Sequence, residues 1–201
     1  MNKLIAIVGA SGVGKTALVN ALAQTGQFAI AFEQHAERPF QALFKNDSRY
    51  SLANQMDYLL LRAEQEKELR ASLKIGLIDG GLDLDYHGFT RLFHSRGLLT
   101  DPELDLCRRV YAFIRETLPR PELIVRLNAD EETVASRLST RDRINIASAE
   151  DTALFNSFLD EWLADIPPDR VLELDVSNET LDYNRSAQHI LNHMLTRGDF
   201  V

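Results

Sequence analysis

The chain has 201 residues, a single cysteine and a formal net charge of −8. This length fits one α/β domain (1–201) with a sizeable core, and one cysteine excludes an internal disulfide and a cysteine-built zinc site. The acidic balance argues against a nucleic-acid partner, since polymer phosphates need clustered Lys and Arg. With no apolar run long enough to span a bilayer and no secretory leader in residues 1–8, a cytoplasmic protein with no membrane partner is expected.

Leu4-Ile5-Ala6-Ile7-Val8 is apolar throughout, as a strand covered on both faces must be. Gly9-Ala10-Ser11-Gly12-Val13-Gly14-Lys15-Thr16 follows and fits G-x-x-x-x-G-K-[ST] without a gap. Glycines in such a turn let several backbone N–H groups point inward at phosphate oxygens. Lys15 then reaches the β- and γ-phosphates, and the Thr16 hydroxyl holds Mg²⁺. A helix from Thr16 adds its N-terminal dipole. The stretch therefore predicts binding of a nucleoside triphosphate.

Phe28-Ala29-Ile30-Ala31-Phe32 is a second short apolar strand, ending at Glu33. Pro39-Phe40 opens a short helix, and Asp47-Ser48 precedes a long one from about 50 to 73. On that helix Leu52, Met56, Leu59, Leu60 and Ala63 predict an apolar face, while Gln55 and Arg62, two turns apart, share a face. A third strand, Ile75-Gly76-Leu77-Ile78, ends at Asp79-Gly80-Gly81. Helices are predicted over about 85–96 and 101–118, then a strand over 123–127 and a helix from near Asp130 that ends at Arg137, Arg141 and Arg143. A helix over about 148–164, a strand over 171–175 and a helix over about 180–196 complete the chain. Strands alternating with helices predict a parallel sheet with helices on both faces.

Ligands of such sheets sit at the carboxyl ends of the strands, here Gly9, Glu33, Asp79, Asn128 and Asp175. Glu33 is either a general base or a solvated acid closing a strand. Asp79 is either a Mg²⁺-side carboxylate or a turn-forming Asp-Gly. Arg137 and Arg141 share a helix face and, with Arg143, are either a solvated helix end or a clamp for transferring phosphates. Cys107 reads as a small core residue. No histidine spacing points to a metal.

Taken together, these segments resemble the deoxynucleoside kinase family. The resemblance rests on the GKT end of the phosphate turn and on Glu33-x-x-x-x-Arg38-Pro39-Phe40. It rests also on Asp47-Ser48-Arg49-Tyr50-Ser51-Leu52-Ala53-Asn54-Gln55 with Arg62 at the family spacing, on Arg137-Leu138-Ser139-Thr140-Arg141-Asp142-Arg143, and on Leu174-Asp175-Val176-Ser177-Asn178. It implies a P-loop kinase fold with a five-stranded parallel sheet, ATP and Mg²⁺ as cofactors, and a homodimer formed through helices at about 50–73 and 85–118. It implies that Glu33 faces the 5′-hydroxyl of a nucleoside and that Gln55, Arg62 and Asp85 read the nucleobase. Arg137, Arg141 and Arg143 would belong to a phosphate-closing lid (about 137–147), with Asp175 near the ATP adenine.

Three positions depart from the family pattern. Asp79-Gly80-Gly81 keeps the acid of an acid-Arg-Ser triplet but lacks its arginine. Phe44 and Ile146 replace the tyrosine and glutamate that hold the sugar 3′-hydroxyl in the family. Removing both partners of a polar contact together can be nearly neutral, so this reads as a changed or abandoned sugar contact. The expected activity is ATP-dependent phosphorylation of the 5′-hydroxyl of a (deoxy)nucleoside in nucleoside salvage. The rival readings are a nucleotide or other small-molecule kinase on the same core, and a nucleotide-binding protein with weak or no kinase activity.

Overall fold

A computed structural model gives the fold of the chain; it describes residues 2–32, 37–139 and 149–200. Five parallel strands form one sheet in the order β2-β3-β1-β4-β5. They are β1 (Leu4–Val8), β2 (Phe28–Ala31), β3 (Ile75–Asp79), β4 (Leu123–Asn128) and β5 (Val171–Asp175). The α/β class and the five-stranded parallel sheet agree with the sequence-based expectation.

Side chains of β1 alternate between two cores, as the period of a strand requires. Ile5 and Ile7 join a cluster with Leu18, Val19 and Leu22 of α1 (Lys15–Ala23) and with Ala187, Ile190 and Met194 of α9 (Asn184–Arg197). Leu4, Ala6 and Val8 face the other way, towards Leu69 of α3 (Ser51–Ala71) and Phe155, Leu159 and Trp162 of α8 (Ala149–Ala164). Helices therefore cover both faces. A third cluster joins Leu59 of α3 to Leu82, Phe93, Leu99, Cys107 and Tyr111. Cys107 is fully buried there, and burial pushes its thiol up to about 11, which fits a core residue.

Two boundaries differ from the sequence reading for identifiable reasons. The helix predicted over 85–96 is broken into α4 (Leu82–Leu84), a π-helical turn over Asp85–Thr90, and α5 (Arg91–Ser95). The last helix begins at Asn184 rather than 180, because Tyr183 takes the left-handed conformation (φ 52°) and the Asp182 carboxylate accepts from the Thr180 hydroxyl. On α3, Leu52, Met56 and Leu59 reach the third cluster, whereas Leu60 is 54% exposed. Successive helical positions are about 100° apart, so Leu59 and Leu60 cannot both face one core. The remaining helices are α2 (Pro39–Asn46), α6 (Asp101–Thr117) and α7 (Glu131–Ser139).

Gly88 fixes how the π turn meets α8. A Cβ built at this position lies 2.5 Å from one ring carbon of Phe155 and 2.6 Å from another, and Phe155 is itself buried. Gly88→Ala is therefore expected to destabilise the fold by about 1–3 kcal/mol through overpacking. Urea denaturation of the two proteins measures this, and an unchanged midpoint would contradict it.

Candidate active site

The sheet order places β1 between β3 and β4, so the glycine-rich turn after β1 is central. Register pairs Ile7 with Asp79, which brings the end of β3 level with the turn. Thr16, in the first turn of α1, donates its hydroxyl to Asp79 Oδ2 at 2.6 Å. Lys15 curls back and donates to the carbonyls of Gly9 (2.9 Å) and Ala10 (3.0 Å), closing the loop on itself. The turn has no room for a side chain at Gly14: a Cβ there would stand 1.8 Å from the Tyr183 hydroxyl oxygen. Tyr183 is buried against the turn from behind.

Across a narrow cleft lies a second polar cluster, formed where α3 meets the π turn. Arg62 donates from Nε to Asp85 Oδ2 at 2.6 Å and from Nη1 to Gln65 Oε1 at 3.0 Å. Gln55 donates its amide to the Thr90 hydroxyl (2.9 Å) and to the Asp85 carbonyl (3.3 Å), and Thr90 in turn donates to that carbonyl (3.0 Å). Gln55, Arg62 and Asp85 are all buried, so the sequence-based grouping of these three is realised as one constellation. Ser11, Lys15, Thr16, Arg62, Asp79 and Gly80 line the cleft that joins it to the phosphate turn.

Arg137 donates to the carbonyls of Val13 (2.8 Å) and Val176 (2.9 Å) and lies over the Tyr183 ring, so in this state it ties the phosphate turn to the segment after β5. Asp175 turns into its own loop, accepting from the backbone and hydroxyl of Ser177 at 2.9 and 2.6 Å, which holds its carboxyl below the usual range. Phe44 stacks on Phe93 with centroids 5.2 Å apart. Gly80 has φ 85°, a conformation that L side chains rarely adopt. Glu33, Arg141, Arg143 and Ile146 lie outside the described residues. Gln65 and Thr90 escaped the sequence reading. Gln65 follows Arg62 by one helical turn and was findable, but Thr90 meets Asp85 only because the turn between them is π rather than α.

A model of the family "Deoxynucleoside kinase" matches residues 5–197. The chain belongs to the deoxynucleoside kinase family. It is 26% identical over 140 residues to the deoxyadenosine kinase of Dictyostelium discoideum, a match covering 69% of this chain and 57% of that enzyme. It is 27% identical over 141 residues to the deoxyguanosine kinase of Bacillus subtilis, covering 69% and 67% of the two chains. The chain thus spans little more than half the length of the Dictyostelium relative. Among solved structures, the deoxyadenosine kinase of M. mycoides with bound dATP superimposes with a TM-score of 0.76 at 20% identity, over 95% of this chain and 98% of that one. The same enzyme with bound dCTP gives 0.74 at 19%, over 96% and 99%. These likenesses establish the P-loop kinase fold. Among the described residues no helix is long and apolar enough to cross a membrane.

The π turn also carries a buried histidine. His87 stacks on Trp162, 5.1 Å between centroids, and its Nε2 lies 3.2 Å from the Tyr111 hydroxyl. Tyr111 gives its own proton to Asp83 Oδ1 (2.6 Å), so His87 Nε2 is the donor in the first contact. Burial lowers the His87 pKa from 6.5 to about 4. Between these values the unfolded chain binds a proton that the folded chain refuses, so this contribution to stability is complete above 6.5 and lost as pH falls towards 4. From pH 7 to pH 5 unfolding free energy is expected to drop by up to about 2 kcal/mol on account of His87. Denaturation of His87→Gln alongside the parent at both pH values checks this: an equal drop in both proteins would refute it.

Proposed function

We propose that this protein transfers the γ-phosphoryl group of ATP to the 5′-hydroxyl of a nucleoside, with deoxynucleosides as the substrate class. The observation that carries the reading is that Arg62, which is hydrogen-bonded to Asp85, lines one cleft with Lys15, Thr16 and Asp79 of the phosphate turn. A triphosphate turn alone serves many reactions, but a buried, hydrogen-bonded polar reader facing it selects a small polar acceptor. Family membership and the deoxyadenosine and deoxyguanosine kinase relatives support the same activity. The dCTP and dATP bound by structural neighbours support nucleotide occupancy of such a cleft.

In this reading the backbone of Gly9 to Thr16 cradles the donor phosphates, and Lys15 leaves its carbonyl partners to neutralise charge on the transferred group. A hydroxyl and a carboxylate oxygen in contact, Thr16 and Asp79, are the hard oxygen donors that Mg²⁺ prefers. Those two residues would hold the ion, which supplies charge neutralisation on the phosphates. Glu33 takes the proton of the 5′-hydroxyl. The chain just before it is fixed to the reader, because Gln65 donates to the Phe32 carbonyl at 3.1 Å while accepting from Arg62. Asp85 offers an acceptor, Arg62 donors, and Gln55 an amide pinned by Thr90. That set suits a purine or cytosine edge. Arg137, Arg141 and Arg143 close over the phosphates, and Asp175 contributes to the donor-base side. Such an enzyme works in nucleoside salvage in the cytoplasm.

The exposed apolar residues bear on assembly. α3 exposes Leu60, and α6 exposes Phe113 (69%) and Leu106. We propose that these helices pack against a second copy to give a homodimer.

Incubation of pure protein with γ-labelled ATP and a nucleoside panel is expected to label at least one deoxynucleoside. Lys15→Met is expected to lower kcat by about a hundredfold or more while the protein stays folded. Label appearing only on nucleoside monophosphates would replace this reading with a nucleotide kinase, and no label on any acceptor would end it. For assembly, light scattering should report twice the chain mass for the parent and the single-chain mass for Leu60→Glu/Phe113→Glu. A monomeric parent would refute the dimer.

A further inference from the structure

Behind the reader cluster lies a group of buried charges that the reaction above does not use. Glu66 is 0% exposed, and Asp83 and Tyr111 are buried beside it. Arg115 of α6 bridges the two carboxylates. It donates from Nη1 to Glu66 Oε2 (2.7 Å), from Nη2 to Glu66 Oε1 (3.1 Å) and from Nε to Asp83 Oδ1 (2.9 Å). Asp83 Oδ1 also accepts from the Tyr111 hydroxyl, while Asp83 Oδ2 is buried with no hydrogen-bond partner among the described residues. Burial raises the Glu66 pKa against the pull of Arg115.

Two carboxylates and one guanidinium in a core are costly. Well-packed apolar residues in such places are commonly as stable or more stable. The cluster's geometry gives it a task. Glu66 Oε1 also accepts from the Leu82 backbone N–H at 3.0 Å, the first residue after Gly81. Gly81 has φ 96°, and a Cβ there would stand 3.4 Å from Glu66 Oε1, so the backbone comes close to the carboxylate. The segment 79–85 is thus held at four points: Asp79 by Thr16, Leu82 by Glu66, Asp83 by Arg115, and Asp85 by Arg62. Glu66 and Arg62 are four residues apart on α3, one helical turn, so the helix that supplies the reader also supplies the clamp. Arg115 is the only cation among these contacts that comes from a third element, α6.

We propose that Arg115 is a positioning residue of the nucleoside site: it locks the 79–85 segment so that the Asp85 carboxylate is presented to the base in one orientation. This rests on the kinase reading. It assigns to Arg115 an effect on acceptor binding and none on the triphosphate turn, which is anchored independently by β1 and Thr16.

The test compares the parent with Arg115→Met and with the charge-free triple Glu66→Gln/Asp83→Asn/Arg115→Met. The triple keeps acceptors for Leu82 N–H and the Tyr111 hydroxyl, so it remains folded if the single variant does not. Steady-state kinetics use the deoxynucleoside that the panel labels fastest, and calorimetry measures binding of AMP-PNP. The triple is expected to raise the nucleoside KM about tenfold or more, with kcat changed less than about threefold and AMP-PNP affinity within about twofold. Hydrogen exchange at the Leu82 amide is expected to quicken in parallel. A triple variant with the parent's nucleoside KM, or one that loses AMP-PNP affinity to the same degree, overturns the positioning role and leaves the kinase reading intact. A parent that phosphorylates no nucleoside overturns the kinase reading and this inference with it.

Discussion

The contact on which the site depends is the pairing of β1 with β3. Parallel register sets Ile7 against Asp79, and the first turn of α1 then delivers the Thr16 hydroxyl to the Asp79 carboxylate at 2.6 Å. Both strands are buried on both faces, so neither can slip by one residue without moving apolar side chains from one core to the other. The position of one carboxylate beside a phosphate-binding turn is therefore secured by hydrophobic packing of the whole sheet. Because β3 runs directly into the segment 79–85, the same register also places Asp85.

The second determinant is the polar face of α3. Gln55, Arg62, Gln65 and Glu66 are all buried, in a helix whose other buried residues include Leu59, Leu61 and Leu69. A buried guanidinium is tolerable only when its donors are satisfied, and Arg62 meets Asp85 and Gln65. The penalty for burying these groups is offset by fixing their geometry before a ligand arrives. Under the proposed kinase function, such a preorganised acceptor and donor set would meet a nucleobase with less ordering cost than a solvated one. The π turn serves the same end: its extra residue per turn carries Thr90 back to the Asp85 carbonyl and to Gln55, which an α-helical turn would not do.

How far the sequence revealed this varies with the kind of signal. Strand β1 is an apolar run before a turn, and its type and extent follow from composition alone; β4, with Arg126 inside it, is legible as a strand but extends one residue beyond the predicted end. The phosphate turn followed from glycine and lysine spacing. Spacing alone puts Gln55 and Arg62 on one helix face, where polar groups are more often solvated; their place in a site, like that of Asp85, comes only through family resemblance, since Asp83 and Asp85 look alike in sequence. The structure separates them: Asp85 pairs with Arg62, which lines the cleft, and Asp83 pairs with Arg115. The π turn left no trace in hydrophobic periodicity, and neither did the left-handed Tyr183, because both are backbone conformations selected by tertiary packing. The apolarity of Leu60 predicts a core position, although its neighbour Leu59 already occupies that direction.

The departures from the family pattern acquire a physical sense from the same geometry. Gly80 sits at φ 85°, where any L residue is strained, and a Cβ there would lie 3.4 Å from Leu84 and 3.7 Å from Nη2 of Arg62. The bare backbone at this position leaves Arg62 as part of the wall of the cleft, alongside Lys15. Gly81, at φ 96°, opens the way for Glu66 to reach the Leu82 amide. The two glycines therefore do more than omit an arginine and a serine. They leave a backbone path against which α3 packs, so that the cation lining the cleft beside Lys15 comes from a helix rather than from the strand end. Phe44 has no hydroxyl to satisfy, and it stacks on Phe93 and packs against the third core.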